Sequence, residues 1–125
     1  MPYTFKLSGA FTAEPDSGTT SGNPSTEVVL ADTIRLTKRH STVMDLTSDS
    51  AASIGFGGLT NAHVISIRAS GGKIRVRLTS TDGSTQAIPV DPYVLVLCRE
   101  VPVTAIDLTR VAGTSTTVFV FLGEE

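Results

Sequence analysis

Tryptophan is absent from this chain, cysteine occurs once, histidine twice, and no apolar run comes near the length of a membrane helix. Each shortage excludes something. A lone thiol, Cys98, cannot build an internal disulfide framework, and inside the apolar run 94–98 it reads as a buried, inert side chain. Zinc needs several ligands held close, usually at short spacings. His40 follows two basic residues and His63 opens a strand, so both read as structural. A membrane helix needs ~20 consecutive apolar residues, and the start Met1–Ser8 lacks the basic and apolar regions of a secretory signal. The expectation is a soluble protein made in a reducing cytoplasm, with no membrane partner. A net charge of −2 supplies no basic field, so direct nucleic-acid binding is not expected.

Catalytic patterns are missing as well. No Gly-x-Ser-x-Gly elbow is present, and a Ser/His/Asp triad would have to assemble from distant positions that nothing selects. The carboxylates Asp32, Asp45, Asp49, Asp82, Asp91 and Asp107 are scattered. Asp82 before Gly and Asp91 before Pro have turn explanations. The run Asp45–Asp49 lacks the spacing and glycine of an EF-hand loop. Ile54-Gly-Phe-Gly-Gly58 does not fit the dinucleotide fingerprint, and its glycines read as a bend, a bulge or a close backbone approach. The chain reads as no enzyme and as a protein without cofactor or metal.

What is present is a succession of short strands. The 125 residues suit one domain, and the abundant Thr and Val favour strands while Ser and Gly favour turns. Tyr3, Phe5 and Leu7 alternate with polar residues, and Phe11 extends that strand. Residues 13–25, rich in Ser, Thr, Gly and Pro, read as a long loop that is flexible or ordered by a partner. Residues 28–37 read as one bent strand or two short ones, Lys38-Arg-His40 as a basic cluster before a strand at Thr42–Leu46, and Thr47–Ser53 as a polar loop. Ile65 and Ile67 lead through Gly71-Gly72 into Ile74, Val76 and Leu78, which reads as a hairpin. Asp82-Gly83 marks the next turn, and Pro89 places residues 86–90 at a sheet edge. Thr104, Ile106 and Leu108 form one face of a later strand. Residues 93–98 and 117–122 are apolar on both faces, so the face turned from the core must meet a loop, the N-terminal segment or another subunit. With no amphipathic helix, the pattern predicts a single all-β domain spanning 1–125. It is a β-sandwich of about eight strands with jelly-roll winding, and a small closed β-barrel is the alternative.

The only patterned charge is Arg68, Lys73, Arg75 and Arg77. Lys73, Arg75 and Arg77 face away from Ile74, Val76 and Leu78. They read as a solvated strand face that discourages edge pairing, or as candidate contacts to an acidic partner surface. No aromatic residues alternate with them as a nucleic-acid stacking platform requires. A carbohydrate-binding β-sandwich module would need exposed aromatics, and Tyr93 is expected in a core strand.

Three stretches carry a resemblance: Gln86-Ala-Ile-Pro-Val90, Val101-Pro-Val-Thr-Ala-Ile-Asp-Leu108 and Gly113-Thr-Ser-Thr-Thr-Val-Phe-Val-Phe-Leu-Gly123. Together with the short aromatic start and the Ser/Thr/Gly-rich arm, they make the chain resemble the small all-β accessory proteins of tailed-bacteriophage virions, above all the capsid decoration or cement proteins. The resemblance implies a non-enzymatic virion protein that staples the capsid lattice. Its partners would be the major capsid protein or other virion proteins, and it would self-associate, often as a trimer. A tail, spike or fibre-base component is the alternative within the same particles. The resemblance supplies no catalytic residues.

Overall fold

The computed structural model describes residues 2–13, 26–98, 100–111 and 114–125, with side chains placed over 2–8 and beyond 32 within those ranges. Ten strands and no helix occur among the described residues: β1 (Tyr3–Ala13), β2 (Thr26–Leu36), β3 (Lys38–Leu46), β4 (Ala52–Ser53), β5 (Val64–Ser70), β6 (Ile74–Ser80), β7 (Thr85–Val90), β8 (Tyr93–Leu97), β9 (Val103–Arg110) and β10 (Thr116–Glu124). The chain forms two compact units, one of Thr4–Arg35 and one of Leu36–Glu125 together with the first residues. In the first, β1 and β2 make a two-stranded sheet. The arm expected over 13–25 lies, apart from Ala13 in β1, outside the described residues.

The second unit is an eight-stranded β-sandwich. Its sheets run β3-β10-β5-β8 and β4-β9-β6-β7, antiparallel throughout, and no closed barrel forms. The pairing is nested: β3 with β10, β4 with β9, β5 with β8 and β6 with β7. One long ribbon has folded about the β6–β7 turn, and its rungs fall alternately on the two sheets. That is the winding of a jelly roll. The turn at its tip is built from Asp82-Gly83. Gly83 has φ +84°, its N–H donates to Ser80 O at 2.9 Å, and Asp82 Oδ1 accepts from the N–H and hydroxyl of Ser84 at 2.9 and 2.6 Å. Those Ser84 bonds hold the Asp82 carboxyl below its ordinary pKa.

Alternation decides the core. Ile65, Ile67 and Ala69 of β5, with Val118, Val120 and Leu122 of β10, face Ile74, Val76 and Leu78 of β6 and Ile106 and Leu108 of β9. Each fully buried aliphatic side chain stabilises by about 1.5–3 kcal/mol relative to exposure.

Four local expectations change. β5 and β6 are not a hairpin, because they lie in opposite sheets and face each other across the core. Alternation says which side chains point inward, not which strand is the neighbour. The basic triplet Lys38-Arg39-His40 lies inside β3, opposite Glu124, Gly123 and Leu122. Ala52 and Ser53, read as the end of a loop, pair with Leu108 and Asp107 of β9. Thr104 is exposed while Val103 is buried, because the register shifts: Thr79 pairs with Ala105, Ser80 with Val103, and Thr104 is the extra residue of a bulge. Two other expectations hold. Pro89 lies on β7, an edge strand. The glycine-rich stretch is a turn with a close approach: Leu59 N–H donates to Phe56 O at 3.1 Å across Gly57 and Gly58, both at positive φ, and a Cβ on Gly57 would overlap the His40 ring.

Replacement of fully buried Leu108 by Ala is expected to cost about 2–5 kcal/mol in urea unfolding. Thr104→Ala is expected to cost no more than about 1 kcal/mol, the worth of its one hydrogen bond to Thr79 O. A large loss at Thr104 would mean that it packs inward and that the bulge is misplaced.

Candidate interaction surface

Each sheet turns one row of side chains to the core and the other outward, and the two outward faces differ in chemistry. On the β4-β9-β6-β7 sheet, the outward row holds Ser53, Asp107, Arg77 and Ala87, which stand abreast in the register. Asp107 organises it. Its Oδ1 accepts from Ser53 Oγ at 2.8 Å, and its Oδ2 accepts from Arg77 Nη2 at 2.7 Å. The Arg77 bond first, then the Ser53 bond, hold the Asp107 carboxyl below its ordinary pKa. Arg75 lies one row along, between Pro89 and Thr109, and is exposed. This face is polar, and its ion pair is satisfied within the subunit.

The β3-β10-β5-β8 sheet is the opposite. Its outward row sets Val43, Phe119, Arg68 and Tyr93 abreast, and the next row sets Ser41, Phe121, Ser66 and Leu95. Val43 is 61% exposed, Tyr93 54%, Phe119 43% and Leu97 37%. Phe121 and Leu95 are half-buried. A shallow open groove of about 640 Å³ runs along Val43, Phe119, Phe121, Arg68 and Tyr93. The Arg68 guanidinium lies 5.9 Å from the centre of the Phe119 ring, and no carboxylate pairs with it among the described residues. Tyr93 Oη and Ser66 Oγ share a hydrogen bond of 2.8 Å, which fixes the tyrosine ring on the sheet. Tyr, Phe and Arg are the residue types enriched at protein interfaces.

The four cations singled out in the sequence therefore do not form one patch. Arg68 lies on the apolar face, Arg75 and Arg77 lie on the opposite sheet, and Lys73 lies between β5 and β6 with its Nζ 3.7 Å from Asp91. Only Arg68 stands among aromatics. Tyr93, expected in the core, points outward; its strand buries Val94 and Val96 against the core instead. The doubly apolar strands 93–98 and 117–122 were the signal for this face. Val43 had no such signal, because its own strand alternates.

The remaining chemistry-bearing groups serve the fold. Glu124 Oε2 accepts from the N–H groups of Asn61 and Thr60 at 2.7 and 3.1 Å, tying the β4–β5 loop to the end of β10. Its Oε1 lies 4.0 Å from Lys38 Nζ. His63 Nδ1 accepts from the Glu125 N–H at 3.0 Å, and His40 lies against Gly57. Cys98 is half-buried beside the core, its thiol directed at Ala62 O at 3.3 Å, and burial pushes its pKa up. Among the described residues, no three of His, Cys, Asp and Glu gather as a metal ion requires.

The lowered Asp107 pKa gives a pH signature. A carboxyl depressed in the folded state stabilises above its unfolded pKa of about 3.9 and loses that contribution as pH falls through the folded value. Wild type is expected to exceed Asp107→Asn in stability above about pH 4, with the gap closing as acid protonates Asp107. Urea midpoints across an acid series measure it, and a gap independent of pH would remove the carboxylate from the account.

No protein-family model matches the chain, and comparison with curated proteins and with solved structures returns no match either.

Proposed function

We propose that this protein is a non-enzymatic structural component of a tailed-bacteriophage virion, a capsid decoration protein that binds the lattice of the major capsid protein and stabilises it. The observation that carries the reading is the unequal pair of outward faces. One is polar and internally paired around Asp107, and the other leaves Val43, Tyr93, Phe119 and Leu97 open to solvent. Contiguous exposed apolar surface on a folded body marks an interaction site. A jelly roll gives that face rigid backing, since the strands bearing it also supply the core.

The protein is expected in mass spectra of purified virions, and particle imaging is expected to place it on the head. Density on the tail would assign it to a tail, spike or fibre base instead. Absence from the particles would defeat the proposal. Val43→Lys combined with Phe119→Lys is expected to lower occupancy on particles at least tenfold, a loss of about 1.4 kcal/mol, with the melting temperature nearly unchanged.

A second reading is favoured by one observation, the exposure of Tyr93. With Ser66 and Arg68 beside it on an open groove, it offers a ring face and polar groups of the kind a carbohydrate-binding module uses. Clear and reproducible hits on a glycan array would favour that reading over the first.

A further inference from the structure

We propose that the outward face of the β4-β9-β6-β7 sheet holds a binding site for a carboxylate group, gripped between the guanidinium groups of Arg75 and Arg77. The site lies on the sheet opposite the apolar face and does not depend on what that face binds.

Register places the two cations. Arg75 and Arg77 flank Val76 on β6, a central strand of its sheet, so both side chains point outward, one row apart. Their surroundings are small. Ala87 stands beside Arg77 on β7, and Ala51 lines the groove from the start of β4. Alanine at both flanks leaves the guanidinium donors open. Together with Asp107 and Thr109 these residues line a groove of about 210 Å³. That is below the ~300 Å³ at which sites for drug-sized ligands begin, so the groove takes one small acid or the tip of an acidic chain.

The two arginines differ in what holds them. Arg77 is fixed: its Nη2 donates to Asp107 Oδ2 at 2.7 Å, and Ser53 Oγ donates to Asp107 Oδ1 at 2.8 Å. A donor set in advance loses less freedom when a ligand arrives. Arg75 is exposed and has no carboxylate partner among the described residues. Its planar fork of N–H donors matches the two oxygens of a carboxylate, and Thr109 stands beside it in the register.

Charge selects the ligand. Two guanidinium groups and one carboxylate leave the groove a single positive charge, which a monoanion neutralises. A phosphate dianion would leave it negative, beside the Asp107 carboxylate. A carboxylate fits both the charge and the fork. Because the groups are exposed, the contact is weak.

Titration of the isotope-labelled protein with propionate, followed by NMR, tests this. Saturable shifts are expected at the amides around Arg75, Arg77 and Thr109, with those of Phe119 and Tyr93 unmoved. Arg75→Gln is expected to weaken binding about tenfold or more with an unchanged thermal melt, and Arg75→Lys, which keeps the charge and loses the fork, to fall between. The Val43→Lys, Phe119→Lys protein is expected to bind propionate as wild type does, which separates this site from the apolar face. Phosphate at about pH 8, where it is doubly charged, is expected to bind more weakly than propionate, and Asp107→Asn to reverse that order. A blocked Gly-Glu-Gly peptide that binds more tightly than propionate assigns the carboxylate to an acidic protein segment, and the opposite order assigns it to a free small acid. Shifts that never saturate, binding unchanged in Arg75→Gln, phosphate preferred by wild type, or an order unmoved by Asp107→Asn each overturns the proposal.

Discussion

A β-sheet has two faces, and a sandwich of two sheets can bury only one face of each. Every other feature of this molecule depends on that constraint. The inward rows of β5, β6, β9 and β10 hold almost nothing but Ile, Val and Leu, and their mutual burial holds the two sheets together. Apolar residues beyond those rows have no place left inside. β10 and β8 carry such a surplus, and the sandwich turns it outward as Phe119, Phe121, Tyr93, Leu95 and Leu97.

The nested pairing explains where that surplus collects. β10 is a central strand of its sheet, flanked by β3 and β5, so its outward aromatics are framed on both sides. β3 contributes Val43, and β5 contributes Arg68 and Ser66. Had β10 been an edge strand, Phe119 would stand at a rim and not at the centre of a face. The opposite sheet has no doubly apolar strand at its centre. β6 alternates cleanly and β9 does so beyond its bulge, and at the centre of their outward face Arg77 and Asp107 pair with each other.

The densest run of charge in the sequence does not lie on the apolar face. Lys73, Arg75 and Arg77 are the denser run in the sequence, yet Arg77 is bound by Asp107 and Lys73 lies near Asp91. Exposed ion pairs of this kind contribute little, because water screens them and the side chains lose freedom. Arg68 looked like their companion across a turn. The chain crosses from one sheet to the other at that turn, so Arg68 lies among aromatics while Arg75 and Arg77 face solvent on the opposite sheet.

Periodicity of two and the turn residues determined most of what was legible from the chain itself: the all-β class, most of the strands, the inward rows of β5 and β6, the Asp82-Gly83 turn and the edge position of Pro89. Those signals are local, since alternation and positive φ are properties of adjacent residues. Strand partnership is not local. Whether β5 and β6 pair or face each other, which residue β9 spends on its bulge, and which strand stands beside β10 are settled by closing loops and filling a shared core. The sequence could say that two strands had an apolar face to spare. Only the tertiary structure brought Val43, Phe119, Arg68 and Tyr93 into one row, because neighbours across a sheet are chosen by the fold and not by the chain.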